Sequence, residues 1–399
     1  MSSYNERLQQ IEELLALKPS LNEAPEQLLR AEITRYVAAR YEGSRLGLRE
    51  KSQLSFDLYA TMRGFDILQE LVENPEISEI MVNGPERIFI EKNGRLERLP
   101  LAFDSKDHLL RVIRRCFGQG NRVINEERPI ASLRFPDGSR LQAVLPPASP
   151  DGPALSLRRF AGFTPNLDEL VRRHSLSPEA RVFLEKAVRQ KENIFISGGT
   201  GSGKTTFLNA LSGAIPPTER ILTIEDTAEL NLQNSPNLLR LEARAPGPDG
   251  NGEVSLIDLI RAALRLRPDR IIVGEVRGEE AYSMIEAMHS GHPGSMSTGH
   301  ADSPEDMLER LALLLLMSVH LPWEAVTRLL SSALNLIVQL ERTESGLRRV
   351  ASIVRPQKSD DGCFHLLTLF RCNAAGELLC CRKPGEGVFS ERKEPKHVI

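Results

Sequence analysis

The run NIFISGGTGSGKTTFLNAL, residues 193–211, constrains this chain more than any other segment. An apolar stretch of strand type leads into Gly198, Gly199, Thr200, Gly201, Ser202, Gly203, Lys204 and Thr205, and Thr206 opens a helical pattern. The spacing is G-x-x-x-x-G-K-[ST] in the strand–loop–helix setting that the motif requires. Glycines let successive backbone N–H groups curl around a polyphosphate, and the helix N-terminus adds positive potential. Lys204 is placed to reach the β- and γ-oxygens, and Thr205 to offer its hydroxyl to Mg²⁺. A glycine-rich turn with a chance lysine would not explain why both flanking elements agree. The expected ligand is a nucleoside triphosphate with Mg²⁺, held by residues 198–206.

Such a loop needs a parallel sheet around it, and the sequence after residue 166 supplies one. Helical patterns alternate with the short apolar runs NIFIS, RILTIE, RIIVGE and GSMSTGH, each ending in polar or glycine residues that can face a ligand. Upstream the periodicity differs. Residues 1–72 read as helical, with Leu8, Ile11 and Leu15, then Leu29, Ile33 and Val37, at helical spacing. Residues 73–160 read as a small α+β domain. Its strands turn at Asn83-Gly84, Asn93-Gly94 and Pro136-Asp137-Gly138-Ser139, and a helix opens at Ser105. Residues 161–166 read as a linker, 167–345 as the phosphate-loop domain, and 346–399 as a β-like extension with a charged tail, SERKEPKHVI. A length of 399 residues suits two to three domains.

Net charge excludes one class of partner. Fifty-one Lys plus Arg against 54 Asp plus Glu leave a formal charge of -3, so no global basic field draws the chain to nucleic acid or anionic lipid. Phosphate chemistry must be local. The longest apolar stretch, Leu311 to Met317, is far below the roughly 20 residues that span a bilayer. The segment Leu308 to Val319 therefore reads as a core or interface helix. The N-terminus lacks a basic flank and apolar core of signal type, and five sparse Cys read as reduced thiols, so a cytoplasmic location is expected.

A phosphate loop only binds; hydrolysis also needs groups that hold Mg²⁺ and orient water. RILTIEDTAEL ends a strand in Glu225, Asp226 and Glu229, which suits Mg²⁺ or its waters, although a solvated acidic loop would look the same. RPDRIIVGEVRG closes on Gly274-Glu275, leaving Glu275 as an acid suited to activating the attacking water. GHPGSMSTGHADSP ends in His300, whose imidazole is placed to stabilise the γ-phosphate. His289, His292 and His300 have no zinc-type spacing and no evident fourth ligand, which argues against structural zinc.

These four segments, in the order GGTGSGKTT, TIEDTAEL, RIIVGEVRG and GSMSTGHA, resemble the secretion ATPase superfamily of type II and type IV secretion and pilus assembly. They correspond to its Walker A loop, Asp box, Walker-B-like strand and His box. The segments EIMVNGPERIFIEKNGRLE, RFPDGSRLQAVLPP, DGPALSLRRF and GEVSLIDLIRAALRLRPDRIIVGEVRG are most similar to the CpaF-type ATPase of Tad/Flp pili. The resemblance spans about residues 60 to 342. It implies an α/β fold: a RecA-like P-loop NTPase domain preceded by a small α+β domain and an N-terminal helical region.

The same resemblance assigns roles. Lys204 and Thr205 grip the phosphates and Mg²⁺, Glu229 is the Asp-box acid beside Glu225 and Asp226, Glu275 the catalytic glutamate and His300 the His-box residue. Arg140 in PDGSR and Arg158 and Arg159 in LSLRRF match arginines that the N-terminal domain lends to the nucleotide; read without the family, they suit a solvated strand face better than a phosphate role. Arg240 and Arg277 are weaker candidates. One departure is Gly299, where family members commonly carry a bulky apolar residue; glycine adds backbone freedom beside His300. The tetracysteine zinc insert of type II secretion ATPases is absent; Cys363, Cys372, Cys380 and Cys381 lack its pairing.

The resemblance thus implies an ATP-hydrolysing, Mg²⁺-dependent homohexameric motor of a Tad/Flp-type pilus. It would be cytoplasmic and peripheral at the inner membrane through platform proteins, with no direct nucleic-acid partner. Two rivals stand beside it: a type IV secretion traffic ATPase that moves protein or DNA, and a nucleotide-binding regulatory protein with little turnover.

Overall fold

The structure is a computed structural model that describes residues 4–92, 94–120, 122–135, 137–159, 165–232, 235–244, 251–358, 362–373 and 375–381. Asn93, Pro136, most of the 161–166 linker and the tail SERKEPKHVI lie outside the described residues. The chain divides into two compact units, Met1–Ala161 and Gly162–Ile399.

The first unit opens with α1 (Tyr4–Leu17), α2 (Glu26–Arg40) and α3 (Leu48–Arg63). Ile11, Leu14, Leu29, Ile33, Val37 and Leu58 close their own small core. After α4 (Gln69–Glu73) come β1 (Ile77–Asn83), β2 (Ile88–Lys92), β3 (Arg95–Leu99), α5 (Lys106–Gln119), β4 (Ile130–Arg134), β5 (Arg140–Val144) and β6 (Ala154–Arg158). The strands form one antiparallel sheet in the order β3-β2-β1-β6-β5-β4. Helix α5 starts where the sequence places it: Ser105 is the N-cap, its hydroxyl accepting from the His108 N–H at 3.1 Å. Its Leu109, Val112, Ile113 and Phe117 pack on Ile80, Val82, Ile88, Leu141 and Leu157.

The second unit contains α6 (Leu167–Arg172), α7 (Pro178–Arg189), β7 (Ile194–Gly198), α8 (Lys204–Ser212), β8 (Ile221–Glu225), β9 (Leu238–Glu242), α9 (Leu256–Ala263), β10 (Arg270–Val273), α10 (Glu280–His289), β11 (Met296–Gly299), α11 (Pro304–Ser318), α12 (Trp323–Ala333), β12 (Leu336–Arg342), β13 (Arg348–Gln357), β14 (His365–Cys372) and β15 (Leu378–Cys380). All nine strands form one sheet, in the order β15-β14-β13-β12-β7-β11-β10-β8-β9. From β12 to β9 the neighbours are parallel; β13 to β15 add on antiparallel.

Side-chain alternation loads both faces of this sheet. On β7, Ile194 and Ile196 join the core under α7 and α8, while Phe195 points into the core under α10, α11 and α12. On β12, Leu336, Val338 and Leu340 take the first face and Ile337 the second. Burial on both faces is why these strands read as unbroken apolar runs in the sequence. Helix α11 is the core helix expected at 308–319, with Leu308, Leu311 and Leu315 fully buried. Among the described residues no helix is long and apolar enough to cross a membrane.

Candidate functional site

The phosphate loop joins β7, at the centre of the nine-stranded sheet, to α8. Gly203 is the helix N-cap in a left-handed conformation, φ 94°, which a side chain would strain. A Cβ on Gly198 would meet the Ser202 hydroxyl at 2.5 Å and the Leu340 carbonyl oxygen at 2.6 Å, so only glycine lets the loop fold back at that point. The described loop therefore uses its glycines as the spacing predicts.

Lys204 is 7% exposed. Its ammonium donates to the carbonyls of Gly198 at 2.9 Å and Gly199 at 3.0 Å, and stands 3.1 Å from His300 Nδ1. An ammonium has three protons and accepts nothing. With all three so placed, Nδ1 of His300 is the acceptor and the imidazole proton sits on Nε2. That atom lies 2.8 Å from Glu275 Oε1. Burial holds the Lys204 ammonium below the ordinary lysine range, with Glu275 pulling the other way. Burial also lowers His300, helped by the Lys204 charge and opposed by Glu275.

Glu275 follows β10 and meets both neighbours of the site. Its Oε2 accepts from Arg277 Nη2 at 2.6 Å. Its Oε1 is buried, and no donor is aligned on it for a hydrogen bond. Burial favours the neutral acid, but the Arg277 hydrogen bond and charge, with His300 and Lys204, outweigh it and hold the carboxyl below its usual value. Glu275 is thus an ionised carboxylate with one oxygen anchored by Arg277 and the other facing His300 Nε2. Arg277, half of this anchor, is a more direct participant than the sequence suggests.

The acidic loop after β8 lies beside this cluster, since Asp226 and Glu229 both raise the Arg277 guanidinium above its usual value, after Glu275. Glu225 is differently used. It is 4% exposed, and its Oε1 accepts from the N–H groups of Glu229 at 2.7 Å and Leu230 at 3.0 Å, fixing the loop's shape. A Cβ on Gly274 would come 2.8 Å from Glu225 Cγ. Gly274 therefore stands where an acid is common because the Glu225 side chain fills that space from the next strand.

Among the described residues no three His, Cys, Asp or Glu side chains form a metal cage. Thr205 at the start of α8 and Asp226 after β8 each carry a hard oxygen donor. That suits Mg²⁺, which is bound through one or two protein oxygens plus substrate phosphates.

Gly299 leaves His300 well seated. A Cβ there would lie 2.9 Å from Phe195 Cε1 and 3.0 Å from Met307 Cε and Sδ, so the two side chains occupy the volume of the missing apolar group. The backbone freedom expected of this glycine is not used: its φ is not positive.

Arg140, Arg158 and Arg159 lie in the Met1–Ala161 unit. Arg140 and Arg158 are directly opposed on β5 and β6, and Arg134 on β4 opposes Arg140. Arg159 instead donates through its guanidinium to the Asn74 carbonyl. Arg240 is exposed on β9.

The family described as Type II/IV secretion system protein matches residues 61–376, which takes in every site residue above. The chain belongs to this family. It is 36% identical over 312 residues to the type IV secretion system protein PtlH of Bordetella pertussis, covering 72% of this chain and 92% of that one. To VirB11 of Brucella suis, also a type IV secretion system protein, it is 33% identical over 303 residues, covering 68% and 83%. The X-ray structure of the ATPase DotB of Legionella pneumophila shares the fold, with a TM-score of 0.53 at 22% identity over 73% of this chain and 80% of that one.

In this secretion-system protein several positioning residues escape sequence reading. Gln339 of β12 is 5% exposed and donates to the carbonyls of Ala301 at 3.2 Å and Asp302 at 3.1 Å, tying down the loop after His300. Arg310 of α11 donates to the His300 carbonyl at 3.0 Å. Thr298 bridges β11 to the Gly274 carbonyl at 2.8 Å. None carries a motif; each depends on which strands become neighbours. The single threonine of GSMSTGH was the only available signal.

Proposed function

We propose that this secretion-system protein hydrolyses ATP and works as a homohexameric motor. The observation that carries the reading is the chain Lys204–His300–Glu275 beside the phosphate loop, ending in the buried Glu275 Oε1, which faces His300 Nε2 across 2.8 Å without an aligned hydrogen bond. A water between Glu275 and the γ-phosphate would donate to that oxygen. It would then attack phosphorus while the bond to the β–γ bridging oxygen breaks. Lys204 leaves its loop carbonyls for the phosphate oxygens and offsets developing charge. Mg²⁺, held by Thr205 and reached by Asp226, would neutralise the β- and γ-oxygens when bound.

Steady-state phosphate release by the full chain tests this. Lys204→Ala and Glu275→Gln are each expected to lower turnover about a hundredfold or more. Turnover within a few-fold of wild type in both would sink the reading; no Mg²⁺-dependent turnover in wild type would instead favour a nucleotide-binding regulator.

The finer assignment is a motor for a Tad/Flp-type pilus that acts through inner-membrane platform proteins. Support comes from the CpaF-like segments at 79–97, 134–147 and 252–278. The names of the curated relatives favour a second reading, a traffic ATPase of a type IV secretion system. A chromosomal deletion separates them: loss of surface pili with conjugal or effector transfer intact supports the first, and the reverse supports the second.

A further inference from the structure

Strand β12 runs beside the phosphate-loop strand, Leu340 level with Gly198, and then turns back in a hairpin with β13. At the base of that hairpin Glu341 opposes Arg349 and Arg342 opposes Arg348. The first pair is complementary: Arg349 Nε donates to Glu341 Oε1 at 2.6 Å. The second sets two guanidinium groups on one face, where like charges in direct opposition destabilise the pairing.

Their face is defined. Leu340, two residues before Arg342, packs in the core between the sheet and α8, and residues two apart share a strand face. Arg342 is thus directed to the side on which α8 begins. A Cβ on Gly201 would stand 3.6 Å from Arg342 Nη1, and one on Gly203 3.4 Å from Arg348 Cδ. Both side chains are exposed and lie against the loop from the β12 side, whereas Glu275 and His300 reach it from β10 and β11.

We infer that Arg342 and Arg348 form a second cationic wall of this phosphate site, gripping the oxygens of the diphosphate portion of the bound nucleotide. Around an anion, two guanidinium groups on one face give charge-assisted bonds. Because the pair stands away from the Glu275 side, it holds di- and triphosphate alike. It therefore sets nucleotide affinity and leaves the chemical step unchanged. The inference rests on the proposed nucleotide site, and Lys204→Ala separates the two.

The test uses the full chain with fluorescent ADP, competed by inorganic pyrophosphate. Arg348→Gln is expected to weaken both ligands about tenfold, and the Arg342→Gln/Arg348→Gln pair more. KM for ATP should rise with kcat within about twofold of wild type. Without nucleotide the Arg348→Gln melting temperature should hold, since the side chain is exposed. ADP affinity unchanged in the double variant overturns the inference, as does a loss for ADP with pyrophosphate competition intact. A double variant that melts lower yet binds ADP normally would give the pair to hairpin structure instead. Should Lys204→Ala bind ADP as wild type does, the nucleotide reading itself fails.

Discussion

His300 is fixed by what Lys204 can do. An ammonium that already donates to Gly198 and Gly199 has one proton left for Nδ1, so the imidazole must be neutral with its hydrogen on Nε2. Protonating Nδ1 would set donor against donor and place a second positive charge beside Lys204. This is the same physics that, after burial, lowers His300 below its ordinary value of 6.5. A base with a lowered value is neutral above it, so the working state is present at neutral pH and lost only in acid. The acid limb of the pH profile of kcat/KM, which reports the nucleotide-free chain, should have a midpoint below 6.5, matched by the ¹⁵N titration of His300. His300→Asn should remove that limb. Glu275 does not compete in this window, because Arg277, His300 and Lys204 overcome its burial and hold it below the carboxyl value of 4.5. A His300 midpoint at or above 6.5, or an acid limb that persists in His300→Asn, would contradict the assignment.

At the scale of elements, the site is the row of carboxyl ends of β7, β8, β10 and β11, and their order decides which side chains meet. β11 lies between β7 and β10, which brings His300 between Lys204 and Glu275. The packing behind that row sets its tolerance. Phe195 and Met307 fill the space over Gly299, so Gly299→Leu overpacks the face under α11 and should cost about 1–3 kcal/mol in denaturant unfolding. Adding Met307→Ala should recover part of the loss; two additive penalties would show that Met307 is not what Gly299 accommodates. These four strands were legible because strands buried on both faces read as apolar runs. β9 was not: LLRLE carries Arg240 and Glu242 at the parallel edge and looks like a solvated stretch. β12 was not either, because only Leu334 and Asn335 separate it from α12 and no turn residue marks its start. With β12 unseen, Gln339 and the Arg342–Arg348 opposition were beyond reach, since both exist only through register.

On the scale of the whole molecule, the charge of a bound nucleotide is what one unit does not offset. The Gly162–Ile399 unit sets Lys204, Arg277, Arg342 and Arg348 against Glu225, Asp226, Glu229 and Glu275, four cations against four carboxylates, and Arg277 is already committed to Glu275. A triphosphate adds further negative charge on the side where the bond breaks. Mg²⁺ would supply part of the compensation, and the Met1–Ala161 unit carries the arginines that the family resemblance assigns to the nucleotide. The sheet of that unit sorts them. Arg134, Arg140 and Arg158 stand in register across β4, β5 and β6, a like-charged row that suits an anion. Arg159, one residue on, belongs to the other face and holds Asn74 through its guanidinium. The three arginines named by the sequence should therefore separate by phenotype. Arg140→Gln and Arg158→Gln are expected to lower kcat by about a thousandfold, the low end for an arginine that offsets transition-state charge, with the melting temperature unchanged. Arg159→Gln should lower the melting temperature and leave kcat within a few-fold. Turnover and thermal unfolding of the three full-length variants decide it: wild-type kcat in Arg140→Gln and Arg158→Gln would remove the row from catalysis, and a purely kinetic defect in Arg159→Gln would place that residue at the phosphate instead.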